Sequence, residues 1–202
     1  MNGIRAFLAI VALTLAAPQV LASTPSEFIT EAVDVLAMKL DGRRSELADD
    51  PEALYAVIDE VLLPRFDRRT AAQQVLAKHW RSASEVQQTR FIDAFYSVLL
   101  QRYADGVLDF EADRIKVLPF RGDASKKAVT VKTTVDLEDG TNISVNYTLR
   151  NKASGWMMFD VTIEGVSYIR NFRAEIDAEI KASSLEQVIV RLEEEAAGKV
   201  SE

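Results

Sequence analysis

Cysteine is absent from the 202 residues and histidine occurs once, at position 79. Without cysteine there is no disulfide framework, no thiol nucleophile and no thiolate metal site. One histidine cannot build a zinc triad of histidines. Stability must therefore come from burial. Glycine is scarce, with eight residues, and none of them forms a glycine-rich phosphate loop. Positive charge is also in the minority: 24 Lys and Arg stand against 31 Asp and Glu, a net charge of −7 and a pI near 4.9. That balance lacks the basic footprint that binding to nucleic-acid phosphates requires. It equally argues against lasting electrostatic attachment to anionic lipid. Beyond position 22 no apolar run approaches the roughly 20 residues that span a bilayer.

What is there begins with an export pattern. Arg5 is followed by the almost wholly apolar Ala6 to Ala17, and Val20-Leu21-Ala22 fits a small-x-small cleavage site. Residues 1–22 are therefore expected to be a signal peptide, and 23–202 one exported domain, soluble once cleaved. The first half of that domain has helical period. Thr24-Pro25-Ser26-Glu27 spells a capping box, and Phe28, Ile29, Ala32, Val33, Leu36 and Leu40 follow as a stripe. Asp50-Pro51 starts a second helix that stops before Pro64, and Asp67 caps a third that is expected to carry Ala71 to Trp80. Ser84 with Gln87 opens a long fourth helix with Phe91, Phe95, Val98, Leu99 and Tyr103 on its face.

The period then changes to two. Ile115 to Leu118 suggests a strand, and Val129 to Leu137 and Ile143 to Leu149 alternate cleanly around Asp139-Gly140. Trp156–Ile163 adds another strand, with Met157, Phe159, Val161 and Ile163 expected on one face and Trp156, Met158, Asp160 and Thr162 on the other. Gly165 allows a sharp turn, and helices return at 166–182 and 185–197. Helices, then sheet, then helices is an α+β order: helices packed on one face of a curved antiparallel sheet, an arrangement that permits an enclosed apolar cavity.

Little in this inventory points to catalysis. Asp160 with Tyr147 could serve a cone-shaped isomerase or hydrolase as an aspartate base and its partner. Ser167 reads better as a helix N-cap than as a nucleophile, because no Gly-x-Ser-x-Gly surrounds it. No metal or cofactor is implied. Each large aromatic is, taken singly, explained as core. From its residues alone the chain is an exported α+β domain with a large apolar interior, and an adaptor with a filled core remains a third reading.

The segment Gly155-Trp-Met-Met-Phe-Asp-Val-Thr-Ile-Glu-Gly-Val-Ser167 resembles the MlaC family, periplasmic phospholipid-binding proteins of a lipid-asymmetry (toluene-tolerance) ABC transport system. Leu62-Leu-Pro-Arg-Phe-Asp67, Val75 to Ser84, Gln88 to Phe95 and Asn146-Tyr-Thr-Leu149 are similar to further family elements. Ala77 replaces a usual glycine, and Ser183-Ser184 replaces the glycine that separates the last two helices. The resemblance implies a monomeric, non-enzymatic carrier that takes phospholipid between an outer-membrane lipoprotein–porin complex and the substrate-binding-domain subunit of an inner-membrane ABC transporter. Acyl chains would occupy the cavity, with Val166 singled out as a lining position. The other residues expected to contact lipid are Phe66, Trp80, Phe91, Phe95, Leu99, Tyr103, Val145, Tyr147, Phe159, Val161, Ile163, Tyr168 and Phe172.

Overall fold

The first helix starts where the capping box predicts. In the computed structural model, which describes residues 23–109 and 111–198, the Thr24 hydroxyl accepts from the Glu27 N–H and the Glu27 carboxylate accepts from the Thr24 N–H. The expected signal peptide lies outside the described residues. From Thr24 the chain runs through α1 (Pro25–Leu40), α2 (Arg44–Asp49), α3 (Pro51–Leu62), α4 (Arg68–Leu76), a 3-10 turn (Ala77–Arg81), α5 (Glu85–Tyr103) and α6 (Asp105–Leu108). Strands β1 (Ile115–Val117), β2 (Val129–Asp136), β3 (Asn142–Lys152), β4 (Gly155–Ile163) and β5 (Val166–Ser167) follow, and α7 (Tyr168–Ala182) and α8 (Leu185–Ala196) close the fold. No helix among the described residues is long and apolar enough to cross a membrane.

The α+β order holds, with differences that have local causes. Helices α2 and α6 are too short to show a period and were not expected. Trp80 leaves the third helix because Ala77 takes a positive φ of 47° and turns α4 into the 3-10 segment. That conformation favours glycine, and a side chain there stores on the order of 1–3 kcal/mol. Ala77→Gly is therefore expected to stabilise the domain by about 1 kcal/mol, a rise of about 2–4 °C in the thermal midpoint by circular dichroism. An unchanged or lower midpoint would show that the neighbouring packing absorbs the strain.

The strands form an antiparallel meander in the order β1-β2-β3-β4-β5. A register shift at Thr148/Leu149 corrects the expected faces of β4. Tyr147 pairs with Val161 and Thr148 with Asp160, but Leu149 pairs with Met158, so Phe159 is the extra residue of a bulge. Past it, Trp156 and Met158 join the face that carries Val161 and Ile163, and Met157 moves to the other. An inserted residue reverses the alternation, and neither strand alone reveals it. Glu164 and Gly165, both at positive φ (47° and 81°), close the two-residue turn that returns β5 along β4.

Val129, Val131, Leu149 and Trp156 pack with Ile29 of α1, which covers this face of the sheet. Leu36, Leu40, Leu47 and Leu54 knit α1, α2 and α3 together. The largest cluster joins α4, α5, α7 and α8 around Phe91, Phe95, Phe172 and Ile189. This helical layer hangs beside the β4 edge, and what hangs it there also shapes the site.

Candidate functional site

Phe66 is placed by its two neighbours. The Met158 N–H donates to the Arg65 carbonyl at 2.8 Å, and the Asp67 N–H donates to the Met158 carbonyl at 2.7 Å, so residues 65–67 add a short parallel bridge to β4. The Asp67 carboxylate, 3% exposed, caps α4 through the Thr70 N–H and also takes the Thr70 hydroxyl and the Lys152 ammonium. Burial raises its pKa, but hydrogen bonds from Lys152 and Thr70 outweigh that and hold it below the usual carboxylate value. Arg150 of β3 completes the clasp by donating to the Thr70 hydroxyl at 2.8 Å.

A second carboxylate fixes α7. Asp160 accepts from the Ser167 hydroxyl at 2.6 Å and from the Ile169 N–H at 3.1 Å, while the Ser167 oxygen caps the Arg170 N–H. Ser167 is thus an N-cap, as its context predicted. Helices α4 and α7 both reach β4 through an acid at their N-terminal ends, a placement their dipoles favour.

Between these ties lies a crevice of about 260 Å³. Phe159, Val161 and Ile163 of β4 form one wall, Tyr168, Ile169 and Phe172 of α7 another, and Leu99, Tyr103 and Phe66 complete it. Asp160 is the sole acidic or basic residue in the lining, and both its oxygens already have partners. Tyr103, 44% exposed, meets Tyr168 edge-on at 5.3 Å. Burial, and then Tyr168, push its phenol up, so it stays neutral through the physiological range. Phe172 contacts Phe95 edge-on at 5.3 Å, and Phe95 stacks on Phe91 at 5.5 Å, which braces the crevice against the helical core.

Eight expected residues therefore meet here: Phe66, Leu99, Tyr103, Phe159, Val161, Ile163, Tyr168 and Phe172. Trp80, Phe91 and Phe95 lie in the helical core, and Val145 is buried in the sheet. Tyr147 belongs to a neighbouring crevice of about 80 Å³ under α1, bordered by Leu62 and Arg65 on the chain side of Phe66. Val166 is 58% exposed and outside the lining, but it pairs with Ile163 and stands beside it on one face. Ile169 lines the crevice and was not anticipated; its signal was the i, i+3 spacing to Phe172. The Asp160–Tyr147 pair is not assembled. Their pairing partners Thr148 and Val161 put them on opposite faces of the sheet, and Asp160 serves the N-terminus of α7. His79 is engaged at 2.8 Å by Asp177, which also binds Lys78 and Lys181. Among the described residues no group of three or more His, Asp or Glu is placed to hold a metal ion.

A crevice walled by aromatic and aliphatic side chains, with no free charge, is built to receive an apolar ligand. The sequence profile of the MlaC protein family matches residues 30–194. The chain belongs to the MlaC family. Among curated relatives, toluene tolerance protein ttg2D of Pseudomonas putida is 27% identical over 155 residues, covering 76% of this chain and 72% of its own. The intermembrane phospholipid transport system binding protein MlaC of Haemophilus influenzae is 18% identical over 178 residues, covering 87% of this chain and 83% of its own. A phospholipid-binding protein from Ralstonia solanacearum, solved in complex with a phospholipid, superposes with a TM-score of 0.78 at 21% identity, over 89% of this chain and all of that one. That likeness establishes the fold.

Proposed function

We propose that this protein is a periplasmic phospholipid carrier whose acyl chains enter the crevice between β4 and the α5–α7 wall. The apolar lining with its one engaged carboxylate carries this reading, and the family membership and the lipid-bound structural relative support it. Moving acyl chain into water costs about 0.8 kcal/mol per CH₂, so two tails of about sixteen carbons face a barrier on the order of 25 kcal/mol. A carrier removes that barrier by keeping the tails dry. Membrane and pocket are both dry, so exchange between them is close to balanced. The sequence has no phosphate loop to couple nucleotide hydrolysis, and direction must come from docking. The partners in this reading are an outer-membrane lipoprotein–porin complex and the substrate-binding-domain subunit of an inner-membrane ABC transporter, with the carrier travelling as a monomer.

At about 260 Å³ the crevice is below the roughly 300–1,000 Å³ of pockets for drug-sized ligands, so a diacyl lipid must part its walls. Asp160 ties the N-terminal end of α7 to β4, whereas Leu99 and Tyr103 of α5 face the strand through side-chain packing, so the α5 wall is the one that can slide. The crevice under α1 lies one residue further along the same segment and offers room for a tail to extend.

Protein purified from its native compartment without refolding should carry phospholipid detectable by mass spectrometry. Repeated absence of lipid would refute the carrier reading. Val166→Glu places a carboxylate beside Ile163 at the crevice rim, where the side chain is in water without ligand. Folding should be unaffected, while lipid retention falls because emerging tails would meet the charge. Full occupancy in this variant would place the route of entry elsewhere.

A further inference from the structure

Four cations that lack an ion pair lie close together in this acidic chain. Among the described residues just over half of the Lys and Arg side chains pair with a carboxylate, and Arg121, Lys126, Lys127 and Lys132 form a local run that does not, although acids outnumber bases. Three of the four line a recess of about 590 Å³, bounded by the connection from β1, by Ala128 and by Val129, Thr130 and Lys132 of β2. Asp123, the one acid in its lining, uses its Oδ1 locally, accepting from the Ser125 N–H at 2.9 Å and from the Ser125 hydroxyl at 2.6 Å.

The recess is also apolar in part. Leu118, Pro119, Phe120 and Val129 contribute to its walls. Gly122 lets the Phe120 ring fold across it, for a Cβ there would lie 2.6 Å from the ring's Cζ. The Lys132 carbonyl points to the outer edge of β2, where it accepts from the Leu118 N–H at 2.9 Å. By the two-residue repeat the Thr130 N–H and carbonyl point the same way, and among the described residues the pairing with β1 ends before them.

We propose that this recess docks a protruding acidic segment of a partner protein, in which an apolar side chain seats against Phe120 between carboxylates that meet Arg121, Lys126 and Lys132. Charge complementarity favours such a partner, since three cations without an ion pair stand against one acid in the lining and carboxylates here gain charge-assisted hydrogen bonds. Concavity selects a protruding segment over a flat bilayer surface. Position agrees. The recess lies on the β1–β2 edge of the sheet, while the crevice lies two strands away along β4. A partner held at the recess leaves the crevice free, because the two share no lining residue.

The test uses the mature chain and a fluorescent ten-residue peptide of Glu-Glu-Leu repeats, followed by anisotropy at rising salt. The peptide is expected to bind, with affinity falling as salt screens the contact. Lys126→Glu with Lys132→Glu should weaken binding about tenfold or more and flatten the salt dependence. Gly122→Ala, which displaces the Phe120 ring, should weaken binding by a few-fold with the salt dependence kept. Arg81→Glu, an exposed unpaired cation elsewhere, should leave affinity within about twofold. Lipid content by mass spectrometry should be the same in all variants, which separates this proposal from the carrier reading. Failure of the peptide to bind, or equal loss with Arg81→Glu, would overturn it. So would retention on vesicles of equal parts phosphatidylcholine and phosphatidylglycerol that depends on the same lysines, which would make the recess a membrane contact.

Discussion

Leu99→Glu is expected to give a folded protein that has lost its phospholipid. Leu99 sits half-buried on α5 in the crevice wall opposite β4. Glutamate is a good helix former, and in the lipid-free state its carboxylate can reach water past the exposed Tyr103, so stability should fall by no more than about 1 kcal/mol. With acyl chains in place the same carboxylate lies against hydrocarbon without a cationic partner, a penalty of several kcal/mol. Each 1.4 kcal/mol is a tenfold change in binding, so lipid affinity should fall by about a hundredfold or more and co-purified lipid with it. Mass spectrometry on protein of native-like circular dichroism reads this directly. A folded variant with wild-type lipid content would show that the tails do not lie along α5. The more exposed Val166→Glu should give the smaller loss, because its carboxylate can turn away from the tails.

Asp67→Ala is expected to cost the most stability, about 2–4 kcal/mol. Loss of the α4 cap accounts for about 0.5–2 kcal/mol. Removing one partner of a buried ion pair can cost about 3–5 kcal/mol, but the Lys152 side chain is 36% exposed and recovers hydration, so the full figure does not apply. For a domain of this size the midpoint should drop by about 5–15 °C. Asp67 is also the clasp behind Phe66, so lipid retention should weaken with it. Asp67→Asn keeps an acceptor for the Thr70 N–H and should lose roughly half as much.

The sign of the pH dependence follows from the lowered pKa of Asp67. A carboxyl group that is more acidic folded than unfolded contributes stability above its unfolded value of about 4, and that contribution is lost as pH falls through the folded value. The stability gap between wild type and Asp67→Asn, measured by urea unfolding, should therefore be full at neutral pH and close below about pH 4. A gap that persists unchanged in acid would mean that the ion pair with Lys152 contributes nothing.

The sequence by itself determined what rests on neighbours in the chain. Thr24, Asp50, Asp67, Ser84 and Ser167 cap the helices they were expected to cap, because a cap is an interaction over three residues. The alternation of Val129–Leu137 and Ile143–Leu149 around Asp139-Gly140 is equally local, and the absence of cysteine and the single histidine are read from composition alone. The motif from Gly155 to Ser167 carried the family. Only the tertiary structure decided which of many similar aromatic residues line the crevice. Phe91 and Phe95 share their helix face with Leu99 and Tyr103, yet the first two are core and the last two are wall. The difference lies in where β4 and α7 pass. Phe66 reaches the site because its neighbours pair with Met158, far along the chain, and no local pattern encodes that bridge. The bulge at Phe159 likewise exists only when β3 is laid against β4, and it reverses the faces that the strand's own alternation implies. Hydrogen bonds over three residues are written in the sequence, whereas packing between segments a hundred residues apart depends on the summed geometry of everything between them.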